Sequence, residues 1–405
     1  MKKIAFTVLS FLLAFHLYCQ KNDLPLHDKK FSHQIEQELK DGKISDSKAA
    51  YYYTYIGGYQ KALEHYELPL DWGLDSITKK DSIGFLNYHP VNAVTYLAER
   101  IKNEQLVIIS EAHQKPQHRV FTAELLAVLY KNGFRYLGLE TITPSYGDST
   151  KFLMDTLLHE RGYPLHSPLT GMYTRETQMG NLVRTAINLG FEIFGYEKTT
   201  KKTERDLQQA MNIERFMKKD PKGKVVVHCG WYHAIESDFP KRKSDNYLAY
   251  HLKKRTGIDP LTIYQDALSE KIILPESPFY QLINADQVSV LMDEHENVFN
   301  GVDEKKHFDI LIYHPRTTYI KNRPDWLANR EGVQFVKINK NKIAKAYFPV
   351  LVEVFPLGEE HSVPVDVVEL SSENDVTELL LQKGSYIVRV TDQDNTIKAY
   401  SITVK

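Results

Sequence analysis

The sequence has very few cysteines and no excess of basic over acidic residues, and both features exclude classes of protein. Of 405 residues only Cys19 and Cys229 are cysteines, and Cys19 lies in the apolar N-terminal segment. Cys229 alone cannot form an internal disulfide, so the fold must rest on a packed core, which a chain of this length can bury. The 51 basic residues are balanced by 52 acidic ones, which argues against a general nucleic-acid binder.

Long apolar runs and phosphate-binding loops are also scarce. One apolar run, over 4–17, follows Lys2 and Lys3, and it is shorter than the roughly 20 residues that span a bilayer. Because the chain turns polar from Gln20, this pattern predicts a cleaved secretory signal over 1–19 and a periplasmic, cell-surface or extracellular protein. Lipidation at Cys19 is the alternative. No transmembrane segment is expected after the signal, and no glycine-rich loop follows a predicted strand.

Strands and helices alternate through the middle of the chain. Short apolar runs of the kind found in buried parallel strands precede stretches with helical periodicity. The predicted strands are 106–109, 136–139, 191–195 and 224–227, and the predicted helices are 91–102, 119–132, 178–188 and 204–218. This alternation predicts an α/β fold in which right-handed crossovers build a mostly parallel central sheet flanked by helices.

The two ends of the chain have sequence patterns that differ from the strand–helix alternation of the middle. After a polar lead-in over 20–48, the range 49–66 predicts a tyrosine-rich helix that packs on the main domain, with ligand stacking as the alternative. Beyond 340, alternating β-type runs separated by turns predict a small antiparallel domain. The predicted organisation is a signal peptide over 1–19, an α/β domain over 20–340 and a β-sandwich-like domain over 341–405.

Ionisable residues follow three of the predicted strands. Glu111 and His113 come directly after the first, Glu140 ends the second, and His228 and His233 follow the fourth. Because ligands of parallel α/β sheets bind beyond the carboxyl ends of the strands, we expect these side chains to converge there. Other residues are weaker candidates: His118, His314 and Arg316, with Cys229 expected to be core filler.

Such a cluster can activate water. A histidine titrates near neutral pH and accepts a proton from water, and a neighbouring carboxylate fixes its tautomer. A second histidine can donate to a developing oxyanion. The same residue types can instead bind a divalent metal, with His113, Glu140 and His233 as ligands, and the metal then activates the water.

Two segments resemble the opening of the erythromycin-esterase and ChaN-like superfamily, to which TraB- and Tiki-type proteins are related. They are Ile109-Ser110-Glu111-Ala112-His113 and Gly133-Phe134-Arg135-Tyr136-Leu137-Gly138-Leu139-Glu140. Further on, 204–213 is similar to the Arg-Asp helix of that family, and 224–233 to its closing strand and histidine loop. The resemblance covers about residues 90–265.

The resemblance implies roles for individual residues. His113 corresponds to a general base acting on water, Glu140 to the carboxylate oriented against it, and Glu111 to the acidic position of the opening motif. Arg205 corresponds to a pocket residue and His233 to an oxyanion donor. TraB- and Tiki-type relatives use a divalent metal as proteases, and ChaN-type members bind haem.

The expected function is therefore an exported hydrolase acting on an ester or amide bond of a small molecule or peptide. Ser110 stands where the family usually has glycine, and the loop over 230–233 is closer to the ChaN and TraB side than to the macrolide esterases. Erythromycin is for that reason not the expected substrate. The alternative function is binding of haem or a metal without turnover.

Overall fold

A mixed sheet of eight strands forms the centre of the molecule. The computed structural model describes residues 29–69, 73–145, 151–198, 203–238, 246–303, 305–344 and 346–405. The predicted signal over 1–19, including Cys19, lies outside these described residues. The strands of the central sheet are β1 (His89–Asn92), β2 (Leu106–Glu111), β3 (Phe134–Leu139), β4 (Glu192–Gly195), β5 (Lys224–Gly230), β6 (Leu261–Leu268), β7 (Ser289–Met292) and β8 (Ile310–Tyr313).

The order of these strands places β2 and β5 side by side near the middle. The order is β1-β7-β8-β6-β2-β5-β3-β4. Every pairing from β8 to β4 is parallel, and only β7 runs against its two neighbours. The mostly parallel α/β fold predicted from the sequence is thereby confirmed.

Helices and short strands complete the described structure. The α-helices are α1 (Ser32–Lys40), α2 (Asp46–Tyr55), α3 (Tyr59–His65), α4 (Lys79–Phe85), α5 (Ala93–Arg100), α6 (Pro116–Lys131), α7 (Leu158–Arg161), α8 (Thr177–Leu189), α9 (Arg205–Met217), α10 (Leu248–Thr256), α11 (Pro278–Leu282), α12 (Asp325–Ala328) and α13 (Lys340–Ile343). The remaining strands are β9 (Tyr319–Ile320), β10 (Arg323–Pro324), β11 (Gln334–Val336), β12 (Val350–Pro356), β13 (Asp366–Leu370), β14 (Leu379–Leu381), β15 (Gly384–Thr391) and β16 (Ile397–Val404).

The central sheet separates two apolar cores. In β2, Leu106 and Ile108 contribute to one core, which also receives residues of α9 and α10. Val107 and Ile109 contribute to the other, which receives residues of α6 and α8. Successive side chains of a strand point to opposite faces, so a continuous apolar run is what a sheet covered on both faces requires. The helices therefore fix the carboxyl ends of β2, β3 and β5 from both sides.

The N-terminal part of the described chain is more ordered than its polar sequence indicates. Within the expected lead-in, 32–40 forms α1, and Ile35 is fully buried. The tyrosine-rich segment forms two helices, α2 and α3, where one was predicted. The break falls at Gly57, whose φ is +76° and whose added Cβ would lie 2.4 Å from the carbonyl oxygen of Val367. Only glycine fits so close a contact in this backbone conformation.

An antiparallel sheet at the C-terminus confirms the β-rich character expected there. Its order is β13-β12-β15-β16, and β11 pairs separately with β14. Leu351 and Val367 pack under α1 and α2, so the N-terminal helices cover one face of this sheet. Arg184 of α8 donates to Glu359 at 2.6 Å, which joins the sheet to the central part of the molecule. The domain boundaries at 340 and 341 stay predictions.

Among the helices of the described residues, none is both long and apolar enough to cross a bilayer.

Candidate active site

Five residues singled out from the sequence meet at the carboxyl edge of the central sheet. Glu111 ends β2, Glu140 follows β3, and His233 lies in the short 3-10 helix Trp231–Ala234 directly after β5. Because β2, β5 and β3 are adjacent and parallel, these positions open on the same side of the sheet. His113 follows β2 within two residues, and Arg205 is the first residue of α9.

Glu111 and His113 form a carboxylate–imidazole pair. Nδ1 of His113 lies 2.7 Å from Oε1 of Glu111. An ionised carboxylate only accepts, so this contact places the ring proton on Nδ1 and leaves Nε2 as the reactive nitrogen. The His113 side chain is 12% exposed while that of Glu111 is inaccessible. The pair therefore leaves one imidazole edge of His113 partly exposed, and we call the space in front of that edge the cleft.

Arg119 holds Glu111 in place from beneath. Its Nε and Nη2 donate to the two carboxylate oxygens of Glu111, each at 2.7 Å, and Nη2 also donates to the carbonyl of His113 at 2.9 Å. Nη1 donates to Glu176 at 2.8 Å. Burial alone would raise the pKa of Glu111, but the charge of Arg119, aided by His228 and His113, brings it well below its usual range. Glu111 is therefore a permanent carboxylate.

A second pair of the same design is formed by Asp206 and His233. Nδ1 of His233 lies 2.5 Å from Oδ1 of Asp206, which also accepts the backbone N–H of Leu248 at 2.9 Å. Nε2 of His233 lies 3.5 Å from Oε1 of Glu140. Burial lowers the pKa of His233, but Glu140 and Asp206 outweigh that effect and raise it.

Glu140 lies between the two imidazoles. Its Oε2 accepts the backbone N–H of Gly230 at 2.6 Å and the hydroxyl of Tyr173 at 3.3 Å, and its Oε1 accepts from Arg205. Burial raises the pKa of Glu140, but His233, His113 and Arg205, together with the Gly230 N–H, bring it down to about 2. A second permanent carboxylate therefore lies at the centre of the site.

Arg205 is the most exposed member of the cluster. Its side chain is 46% exposed, and it donates to both Glu140 and Glu197. Nη1 lies 2.9 Å from Nε2 of His233, a contact that requires this nitrogen to be unprotonated. Protonation of His233, which its raised pKa favours, breaks that contact, so that Nε2 of His233 becomes a donor and Nη1 of Arg205 is released, while Arg205 stays paired with Glu140 and Glu197.

Aromatic rings confine His113 on two sides. The ring of Tyr173 lies 4.5 Å from it and that of Trp231 lies 4.2 Å from it, centroid to centroid. Gly230 passes close to the imidazole: a Cβ at this position would lie 2.6 Å from Nε2 of His113 and 3.2 Å from Oε2 of Glu140. His113 Nε2 and Glu140 Oε2 therefore face the same small space, and Gly230 keeps it open.

Other sequence candidates lie outside this space. His228 is buried under Glu111, with Nε2 3.5 Å from Oε2, and burial lowers its pKa to about 4. His118 and His314 are buried against each other, with ring centroids 4.8 Å apart. Arg316 pairs with Glu276 at the surface. Cys229 is buried in the core, as expected.

The arrangement does not fit the metal centre that the resemblance implies. Across the described ranges, no three histidine, cysteine or carboxylate side chains are grouped as metal ligands. The guanidinium of Arg205 contacts both Glu140 and His233, and a cation there repels a metal ion.

Comparisons with known proteins give only remote structural likeness. No protein-family model and no curated protein matches the chain. The type III effector HopBA1 is 14% identical with a TM-score of 0.33, over 56% of this chain and 95% of that chain. RRSP, a MARTX toxin effector domain from Vibrio vulnificus CMCP6, is 15% identical with a TM-score of 0.28, over 43% of this chain and 36% of that chain. TM-scores this low establish neither fold nor activity, so the chemistry rests on the site itself.

Proposed function

We propose that the protein is a hydrolase in which His113 activates water for attack on an ester or amide carbonyl without a metal ion. The observation that supports this most is the pairing of two imidazoles, His113 and His233, with a carboxylate at Nδ1. The Nε2 atoms of both rings then face Glu140. This leaves two proton-transfer groups and a central anion around one space.

His113 is the general base in this proposal. Its Nε2 takes a proton from water, and the oxygen of that water forms a bond to the carbonyl carbon. The Glu111 carboxylate stabilises the resulting imidazolium without itself taking the proton. When the tetrahedral intermediate collapses, the bond to the leaving oxygen or nitrogen breaks, and the proton on Nε2 passes to that atom.

Arg205 and protonated His233 stabilise the oxyanion. Once His233 is protonated, its Nε2–H and the Arg205 guanidinium are two donors at the open side of the cleft. Donors placed where negative charge develops usually make the largest contribution to such reactions. Asp206 supports this role because it keeps the imidazolium paired from behind.

The proposal keeps two expectations from the sequence. The apolar segment over 4–17 supports export, and the spacing of Glu111, His113, Glu140 and His233 supports kinship with the erythromycin-esterase and ChaN-like superfamily. A small-molecule or peptide substrate is consistent with a cleft bounded by Tyr173 and Trp231.

Comparing wild type with His113→Gln tests the proposal. Both are assayed on p-nitrophenyl acetate, a δ-lactone and a fluorogenic peptide. We expect kcat/KM on at least one substrate to fall by about 10²–10⁴-fold, as loss of a general base does. His295→Gln, at a histidine that is 76% exposed, is the matched control and keeps full activity. If wild type turns over a substrate and His113→Gln does so equally fast, His113 is not the base.

A further inference from the structure

A serine, a histidine and an aspartate form a hydrogen-bonded series that shares no residue with the cluster around Glu140. Oγ of Ser237 lies 2.6 Å from Nδ1 of His307, and Nε2 of the same ring lies 3.4 Å from Oδ2 of Asp303. We call these three residues the Ser237 triad. A nucleophile that contacts a base, with the base oriented by a third group, is the arrangement found in enzymes that cleave esters through a covalent intermediate.

Backbone hydrogen bonds hold the two segments of the Ser237 triad together. Ser237 follows the 3-10 helix Trp231–Ala234, and the other two residues precede β8. The N–H of Glu236, directly before Ser237, donates to the carbonyl of His307 at 3.2 Å. Oδ1 of Asp303 accepts the N–H of Lys305 at 2.8 Å, so the other carboxylate oxygen, Oδ2, is the one that contacts the imidazole. The main chain therefore fixes both ends of the triad.

The partners of the His307 ring decide where its proton lies. The N–H of Lys305, aided by His307, lowers the pKa of Asp303, and an ionised carboxylate only accepts hydrogen bonds. Nε2 of His307 therefore carries the proton, and Nδ1 accepts the hydroxyl of Ser237. Burial lowers the pKa of His307 more than Asp303 raises it, so the ring is neutral at pH 7 and can take the proton of Ser237.

The Ser237 triad is accessible at the nucleophile and shielded at the base. Ser237 is partly exposed, whereas the side chain of His307 is only 3% exposed. Shielding from water keeps the imidazole neutral, since desolvation disfavours its charged form. The exposed position of Ser237 suits small esters, whose carbonyl carbon can approach the hydroxyl from solvent.

We propose that the Ser237 triad is a second ester-cleaving site, in which Ser237 is a covalent nucleophile for small carboxylic esters. Nδ1 of His307 takes the hydroxyl proton as Oγ of Ser237 forms a bond to the carbonyl carbon. When the tetrahedral intermediate collapses, the bond to the alcohol oxygen breaks, and the proton on Nδ1 passes to that oxygen. Water, deprotonated by the same nitrogen, then attacks the acyl-serine, releases the acid and restores the serine. The site is independent of the reaction assigned to His113.

Labelling of the full chain with a fluorophosphonate tests the proposal, because this reagent reports the nucleophile itself. Oγ of an activated serine bonds to phosphorus, the phosphorus–fluorine bond breaks, and fluoride leaves while the proton passes through the imidazole to solvent. We expect intact-mass spectrometry to show one adduct per chain and peptide mapping to place it on Ser237. His113→Gln should be labelled at the wild-type rate, so failure of the proposed hydrolase and failure of this site are distinguishable. An unlabelled wild type, or an adduct only on another residue, would overturn the proposal.

Variants test each member of the Ser237 triad. Ser237→Ala should remove the adduct, and His307→Gln should slow labelling by about 10²–10⁴-fold, as loss of a general base does. Asp303→Asn, at a side chain that is 37% exposed, should slow labelling at least about tenfold because the ring loses its oriented tautomer. Ser47→Ala, at an exposed serine whose hydroxyl lies 3.0 Å from that of Ser45, is the matched control and should be labelled as wild type is. Equal labelling rates in wild type, His307→Gln and Asp303→Asn would overturn the proposal.

Turnover of an ester at this site is measured with p-nitrophenyl acetate in the His113→Gln variant, which lacks the proposed water-activating base. We expect a residual rate that falls at least about tenfold when Ser237→Ala is added. No residual rate, or one that Ser237→Ala leaves unchanged, would contradict ester cleavage by the triad.

Discussion

At the scale of single residues, the site depends on how two imidazole rings are held. His113 and His233 each have Nδ1 on a carboxylate, and the shared neighbour Glu140 accepts from Gly230 and Arg205. Closeness alone does not make these side chains a catalytic site; their hydrogen-bond partners matter as well. The partners on the far side of each ring decide which nitrogen faces the cleft and which protonation state is favoured.

The sequence predicted the facing residues better than the supporting ones. Glu111, Glu140 and His233 follow directly from strand ends, whereas Glu176 and Tyr173 were not singled out, and Asp206 was noted only as part of the Arg-Asp helix of the resemblance, without a role of its own. Tyr173 and Glu176 reach the site through the long segment after β3, whose path no local periodicity encodes. Asp206 offered one signal, its place beside Arg205 on the first turn of α9.

Gly230 allows a direct test of the crowding around His113. An added Cβ in Gly230→Ala would lie 2.6 Å from the imidazole, so His113 must move away from Glu140. We expect kcat to fall at least about 100-fold, since a 1 Å misplacement has an effect of that size. Gly84→Ala is the matched control, because its Cβ would meet nothing within 4 Å, and it should keep wild-type activity. Wild-type kcat in Gly230→Ala would show that His113 need not occupy its observed position.

At the scale of elements, α6 and α8 fix the site through a buried charge network. Glu176 accepts the N–H groups of Gln178 and Met179 at the start of α8, at 2.9 and 2.8 Å, and also pairs with Arg119 of α6. One carboxylate thus caps a helix and completes the shell around Glu111. The bounds of α6 and α8 were predicted within three residues. The contact between the two helices through Glu176 and Arg119 is a tertiary interaction, and the hydrophobic periodicity of either helix does not predict it.

β6, one of the central strands that sequence reasoning missed, shows the same limit. β6 pairs with β2 in the middle of the sheet, yet it contains Thr262, Gln265 and Asp266. Its polar side chains are satisfied by buried partners such as Ser110 and Lys115. An apolar run therefore identifies a buried strand only when no polar network passes through it.

Glu176→Ala tests the network at this scale. The change removes the cap of α8 and leaves Arg119 with one buried partner fewer, so we expect the free energy of unfolding to fall by about 3–5 kcal/mol. Urea unfolding measures this. Glu204→Ala is the matched control, since Glu204 precedes α9 without capping it through its side chain, and its loss should be within about 0.5 kcal/mol. An equally small decrease in the free energy of unfolding in the two variants would contradict the structural role assigned to Glu176.

At the scale of the whole molecule, buried neutral histidines make stability depend on pH. Burial lowers the pKa of His228 to about 4 and that of His314 to about 3, whereas an unfolded histidine titrates near 6.5. Between these values the unfolded state binds more protons, so the free energy of unfolding decreases as pH falls from 6.5 to 4.5. Glu236 opposes this trend, because burial raises its pKa to about 7. In this pH range the folded state therefore binds one proton at Glu236 that the unfolded state lacks, and this contribution to the free energy of unfolding increases as pH falls.

Urea unfolding at pH 7.0, 6.0 and 5.0 measures the slope. In His314→Phe one of these protons is absent, so the slope averaged over this pH range should be shallower by about 1 kcal/mol per pH unit, whatever the absolute loss of stability. The carboxylates Glu111 and Glu140, whose pKa values are lowered, add to the loss only below about 4.5. Identical slopes in wild type and His314→Phe would show that folding does not lower the pKa of His314.

The most direct test of the central claim is hydrolysis by metal-stripped wild type. Protein dialysed against EDTA, with residual zinc and manganese below one-tenth equivalent, is assayed on the best substrate of the ester, lactone and peptide panel. Because Arg205 lies between Glu140 and His233, the account predicts an unchanged kcat/KM that still depends on His113. A rate that vanishes on stripping and returns with one equivalent of metal would contradict it.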